Sequence, residues 1–367
     1  MEPGANLKLL IQPDDGVAPL LAGIKSAKKS IDILIFRMDW KELEVALKAA
    51  SNQGIAVRAL IAHTNRGGES RLRSLEMRFL EAGITVGRTA DDLIRYHGKM
   101  MIVDARTLFL LSFNFVHLDI EHSRGFGVVT KTASVVKEAV KLFDADLNRK
   151  TYKGGLDGFV VSPTNARKQL TEFIKRARKQ LWIYDPKVAD KQIMRLLEER
   201  AKAGLDVKII GSIVARSANL PVTPLTSMRL HTRTIIRDGR QAFVGSQSLR
   251  QAELDSRREI GMVIRDSKAV KTLLATFEKD WAASGFDEAR DAAKPNADAA
   301  PETTTKATRA LAKEMSPLKT TLKKAIKQAV NRAGKEAVAQ GSLKSTVKHA
   351  VKEAVKEAVK EVTQEAR

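Results

Sequence analysis

Apolar positions along the chain fall into two alternating patterns. Short continuous runs such as "IDILIF" from Ile31 and "VRALIA" from Val57 read as buried strands. Between them lie longer stretches with apolar residues at i, i+3 and i+4, the period of helices with one buried face. The order helix, strand, helix, glycine turn, strand occurs twice. "IKSAKKSIDILIF" from Ile24 matches "IKRARKQLWIYD" from Ile174, and "LKAASNQGIAVRALI" from Leu47 matches "LEERAKAGLDVKII" from Leu197, both at an offset of 150. Gly54 aligns with Gly204 and Val57 with Val207. Such alternation predicts an α/β layered fold with helices covering the sheets. Two homologous halves, 1–150 and 151–286, are expected to pack about a pseudo-twofold axis, making a monomer with an internal pseudo-dimer.

After Phe286 the pattern stops. "DEARDAAKPNADAAPETTTKATRA" has almost no large apolar residues, so 287–316 reads as a flexible linker. Residues 317–367 read as a Lys- and Ala-rich helical tail ending in "HAVKEAVKEAVKEV". A four-residue repeat on a 3.6-residue helix turns its Ala/Val stripe by about 40° per repeat. That makes a poor dimer seam. It suits either a helix lying on an anionic surface or a solvated tail.

Composition narrows the function classes. The 367 residues contain no cysteine, which excludes disulfides and thiolate metal sites and fits a reducing compartment. None of the six histidines has the spacing of a metal cage. Neither a signal peptide nor an eighteen-residue apolar run is visible, so a cytoplasmic protein is expected, sitting at most peripherally on a membrane. The formal charge is +21; seventeen basic and eleven acidic residues from Asp287 onward account for six of it, leaving fifteen on residues 1–286. The globular part is basic in its own right. That favours phosphate-bearing partners, a phospholipid or anionic membrane first and nucleic acid second.

Two stretches 134 positions apart carry candidate chemistry: "HGKMMIVDARTLFLLSFN" from His97 and "HTRTIIRDGRQAFVGSQS" from His231. On a strand, His97 and Lys99 share one side. "DART" at Asp104 is a turn and "LFLLSFNF" the returning strand. With Val103 paired to Leu108, His97 falls opposite Asn114 and Lys99 opposite Ser112. The same register sets His231 opposite Ser248 and Arg233 opposite Ser246. Each hairpin then gathers an imidazole, a cation and hydrogen-bond donors suited to phosphate oxygens.

The paired motif resembles the signature H-x-K-x4-D-x6-G-S-x-N of the phospholipase D superfamily, and the resemblance covers about residues 5–285. It implies phosphodiester chemistry through a phosphohistidine, without metal or other cofactor. By that resemblance His97 is the nucleophile and His231 the acid–base. Lys99, Arg233 and Asn114, with Ser112, Ser246 and Ser248, would hold the phosphate. Asp104 and Asp238 complete the motifs and read as supports at the turns. The expected activity is that of a phospholipase D or a cardiolipin-synthase-like phosphatidyltransferase. A nuclease, or a protein that binds phosphodiesters without turnover, are the alternatives. No aromatic stacking platform supports the nuclease.

The second copy departs from the signature with Arg233 for Lys and Ser248 for Asn, and the first with Leu111 for Gly. In the family a carboxylate near each motif orients an imidazole across the pseudo-twofold axis. Glu259 stands at that position in the second half and would orient His97. Its counterpart in the first half is Gly125, leaving Asp119 or Glu121 to serve His231. His63 is a candidate for the cleft wall or a surface loop. His117, His122 and His349 carry no role, and Trp40, Trp182 and Trp281 read as packing residues.

Overall fold

The structure, a computed structural model, describes residues 7–64, 69–214 and 220–286. The linker and helical tail expected beyond Phe286 lie outside the described residues. The first half runs β1 (Leu7–Gln12), α1 (Ala18–Ser26), β2 (Ser30–Ile35), α2 (Lys41–Asn52), β3 (Ala56–Ile61), α3 (Glu69–Glu81) and β4 (Thr85–Arg88). It continues with β5 (Arg95–Tyr96), β6 (Met100–Val103), β7 (Thr107–Leu111), α4 (His117–Glu121), β8 (Ser123–Thr130) and α5 (Ala133–Leu147). The second half opens with β9 (Phe159–Val161), α6 (Ala166–Lys175), β10 (Gln180–Val188), α7 (Lys191–Lys202), β11 (Asp206–Ile213), β12 (Val222–Thr223) and β13 (Arg229–Leu230). It closes with β14 (Arg233–Arg237), β15 (Gln241–Gly245), α8 (Gln251–Asp255), β16 (Arg257–Arg258), β17 (Ile260–Ile264) and α9 (Ser267–Ala282).

The sheets repeat one topology. The first is ordered β1-β8-β7-β6-β2-β3-β4 and the second β12-β11-β10-β14-β15-β17-β9. In each, a parallel pair joined by a crossover helix (β2/β3, β10/β11) is extended antiparallel by the motif hairpin (β6/β7, β14/β15).

Unbroken apolar runs make sense because both faces of each sheet are covered. On one face, Leu34, Met100, Ile102, Leu108, Leu110, Phe126 and Val128 join Tyr184, Ile210, Ile236, Val244, Ile260 and Met262 in a single core shared by the halves. Buried residues of α5 and α9, including Val136, Phe143, Leu273 and Phe277, belong to it. The alternate residues Ile31, Ile33, Ile35, Met101, Val103 and Phe109 pack outward with Leu20, Leu43 and Leu75 of α1, α2 and α3. A third core under α6 and α7 repeats this for the second half. Period-two alternation thus sends each strand's side chains into two different cores.

The halves are also stitched together by backbone. Short β5 pairs in parallel with β16 of the other half, and β13 with β8. Two buried ion pairs repeat the exchange: Arg124 reaches Asp280 on α9 at 2.8 Å, and Arg258 reaches Asp146 on α5 at 3.1 Å.

Candidate functional site

Each crossing strand delivers a histidine. His97 follows β5 and its amide donates to the Arg258 carbonyl of the other half at 2.7 Å; His231 follows β13 and donates to the Arg124 carbonyl at 3.1 Å. Gly98 lets the first motif sit close: a Cβ there would lie 2.5 Å from Ile260 Cδ1. Both imidazoles are almost fully buried, 8% and 6% exposed.

His97 Nδ1 lies 2.8 Å from Glu259 Oε2, a contact from the first half to the second. With the carboxylate accepting from Nδ1–H, the lone pair of His97 Nε2 is left bare. The Phe36 ring meets the imidazole edge-on at 4.5 Å. His231 faces a carboxylate of the first half in turn, Nε2 lying 3.3 Å from Asp119 Oδ2. Of the two candidates near the missing position, Asp119 makes this contact, whereas Glu121 pairs with exposed His117 at 3.1 Å.

The motif cations are arranged alike. Lys99 Nζ donates to the His97 carbonyl at 2.6 Å and Arg233 donates to the His231 carbonyl. Each cation acts electrostatically on both imidazoles. Burial pulls the imidazoles well below the usual histidine range; Lys99 and Arg233 pull His97 the same way, while Asp119 opposes the trend at His231. Burial draws the Lys99 ammonium down to about 7, against the attraction of Glu259. Burial also lifts the Glu259 carboxyl, with Lys99, Arg233 and Arg257 restraining it.

The substitutions in the second motif come with their own support. Arg233 Nε donates to Ser248 Oγ at 3.3 Å, and that hydroxyl donates to buried Asp185 at 2.8 Å. Asp185 occupies the position of Ile35 in the first half, so an added carboxylate accompanies the added guanidinium. Asn114 instead gives its side-chain NH2 to Asp119 at 2.6 Å.

Two expectations are corrected. The hairpin register is one residue tighter than expected: Val103 pairs with Thr107, so Lys99 lies opposite Leu111 and not Ser112. The cause is the turn, where Asp104 and Ala105 both take positive φ, 54° and 49°, and shorten the loop. In the second hairpin Arg237 pairs with Gln241 and Arg233 with Gly245, the same shift. Secondly, the hydroxyls of Ser112 and Ser246 are engaged by neighbouring backbone: Ser112 accepts from Phe126 N at 2.9 Å and Ser246 from Ile260 N at 3.1 Å. Asp104 and Asp238 stand, as expected, at the turns, at the far ends of the motif strands. Asp104 accepts from the amides of Lys28, Lys29 and Ser30, and Asp238 from those of Arg178, Lys179 and Gln180. They tie each hairpin turn to the loop before β2 or β10.

Sequence reasoning missed Asp185, whose one signal is a carboxylate inside an apolar strand. Among the described residues no cluster of histidines and carboxylates has the makings of a metal site. Nor is any described helix long and apolar enough to cross a membrane.

The family model described as cardiolipin synthase, phospholipase D-like domain, matches residues 20–147 and 170–281, one segment in each half. The chain belongs to this family. It is 22% identical over 331 residues to a probable cardiolipin synthase, YwiE, of Bacillus subtilis (strain 168), covering 75% of this chain and 66% of that protein. Among solved structures it is similar to polyphosphate kinase from Porphyromonas gingivalis, with a TM-score of 0.64 and 20% identity, over 75% of this chain and 50% of the other. Phosphatidylserine synthase from Haemophilus influenzae Rd KW20 superposes with a TM-score of 0.58 at 11% identity, over 75% and 85% of the two chains. At these identities the structural likenesses speak for the fold. The chain spans about two thirds of the curated relative and half of the kinase.

Proposed function

We propose that this protein cleaves a phosphodiester and transfers the phosphoryl-bearing group to water or an alcohol, through a phosphohistidine on His97. The observation that carries the reading is the reciprocal pairing of each imidazole with a carboxylate of the opposite half, at 2.8 Å for His97 and 3.3 Å for His231. Two unlike imidazoles then serve one phosphorus. His97 Nε2 attacks phosphorus while His231 gives its proton to the departing oxygen. In the second step His231 takes a proton from the incoming hydroxyl, whose oxygen displaces His97. Lys99, Arg233 and the NH2 of Asn114 supply positive charge and donors to the non-bridging oxygens as negative charge grows there. No step calls for a metal.

A phospholipid is the proposed substrate class. The family match and the name of the curated relative support it, and the basic first 286 residues suit an anionic membrane surface. The same charge is the one feature favouring a nuclease. Incubation with mixed anionic liposomes, and separately with single- and double-stranded DNA, all in EDTA, separates the readings. Release or exchange of a lipid headgroup is expected. Nicking of DNA with intact lipid would move the proposal to nucleic acid, and binding without turnover of either would overturn the enzyme reading.

A further inference from the structure

His231 lacks a carboxylate at the position that serves His97. The counterpart of Glu259 is Gly125, where a Cβ would lie 3.0 Å from Phe113 Cδ1, so an aromatic ring crowds the site of the missing side chain. The carboxylate that reaches His231 comes from α4. Asp119 Oδ2 accepts from Asn114 N at 2.9 Å and from Asn114 Nδ2 at 2.6 Å, and lies 3.3 Å from His231 Nε2. Its other oxygen is gripped by Arg229 Nη1 at 2.7 Å. The counterpart, Glu253, binds Ser248 N at 2.7 Å in the same manner, and its second oxygen takes Arg257 at 3.0 Å. A carboxylate that fastens the return strand in both halves has therefore gained a second contact in one of them.

The nitrogen engaged is also different. Glu259 is hydrogen-bonded to Nδ1 of His97, whereas Asp119 lies beside Nε2 of His231 at 3.3 Å. His231 Nδ1 is buried and, among the described residues, has no hydrogen-bond partner. An orphaned buried nitrogen inside a reactive cluster marks the place of a ligand atom. Asn114 Oδ1, on the residue that Asp119 also holds, is likewise buried without a partner.

We infer that Asp119 is the positioning residue of His231, and that His231 consequently exchanges its proton with the reacting oxygen through Nδ1, while His97 uses Nε2. The neutral ring carries its proton on Nε2, facing Asp119. Protonation at Nδ1 makes the imidazolium, Asp119 stabilises the added charge, and the Nδ1 proton passes to the leaving oxygen. The other charged groups acting on His231 are Lys99, Arg233 and Arg229, all cations, so Asp119 alone among them favours the protonated ring. The inference rests on the proposed acid–base role of His231.

The test has two arms. Long-range proton–nitrogen spectra of the full chain labelled with 15N-histidine, assigned with a His231→Gln variant, report which ring nitrogen carries the proton. The expected result is a neutral His231 protonated on Nε2, with that preference lost in Asp119→Asn. A wild-type ring protonated on Nδ1 would overturn the inference, and this arm needs no turnover. The second arm compares first-turnover rates of Asp119→Asn on two diesters. With bis(p-nitrophenyl) phosphate, whose leaving group needs no proton, the loss reports only the loosened hold on Asn114. With an alkyl phosphodiester, whose leaving alcohol does need one, the loss should be about 100-fold greater. Equal losses on both would reduce Asp119 to a structural fastening. Should neither diester be turned over by the wild type, the proposed function fails, and the spectra still decide the tautomer.

Discussion

Glu259→Gln keeps the shape of the side chain beside His97 and removes its charge. When His97 Nε2 bonds to phosphorus the ring becomes cationic, and Glu259 Oε2, 2.8 Å from Nδ1, is the carboxylate in direct contact with it. With charge centres about 4 Å apart and an effective dielectric constant of about 20, their attraction is roughly 4 kcal/mol. At about 1.4 kcal/mol per factor of ten, the variant should lose on the order of 1,000-fold in rate. Stability should not follow. Glu259 is fully buried and burial already pushes its carboxyl up, so a neutral amide removes a desolvation cost. Initial rates of nitrophenolate release from bis(p-nitrophenyl) phosphate in EDTA, with a melting curve on each preparation, measure both quantities. A folded Glu259→Gln within about threefold of wild type would refute the reasoning.

Lys99→Met should stabilise the apoprotein at neutral pH while abolishing turnover. Burial lowers the folded-state pKa to about 7 from an ordinary value of 10.5, so the unfolded chain binds the extra proton between those values. The burial penalty is therefore full below pH 7 and fades as pH rises to about 10.5, and denaturant midpoints across that range should show the advantage of the variant shrinking to nothing; a constant gap would contradict the assignment. Asp104→Ala should cost about 1–2 kcal/mol, as for a lost cap, plus the strain of alanine at positive φ, and leave the rate per folded molecule unchanged. A large loss of rate in a folded Asp104→Ala would make that residue catalytic after all. Asp280→Asn leaves the buried Arg124 guanidinium short of its counter-charge and should destabilise by about 3–5 kcal/mol, read from chemical denaturation.

Much of the architecture was legible because the halves repeat. Short apolar runs announced the strands and the i, i+3, i+4 stretches the covering helices, and the offsets of 150 and 134 aligned elements that repeat in topology. The pairing of Glu259 with the opposite half followed from the resemblance, and the geometry has that contact. Hairpin register was not legible. It turned on two consecutive left-handed residues, for which Asp238-Gly239 in the second copy is a cue but Asp104-Ala105 in the first is not. Asp119 stood as one of two equal candidates because helix α4 is a single short turn, whose facing a sequence pattern of five residues cannot define. Asp185 was hidden for a different reason. Its meaning lies in Ser248 and Arg233, 63 and 48 positions away, and no local pattern joins them.

The central claim is a covalent bond between His97 and phosphorus. Rapid acid-free denaturation during turnover of bis(p-nitrophenyl) phosphate, followed by peptide mass spectrometry under alkaline conditions, should find an acid-labile, base-stable phosphoramidate on the peptide containing His97, accumulating further when Asp119 is replaced by Asn. A phosphoramidate on His231, or steady turnover with His97 replaced by alanine, would contradict it.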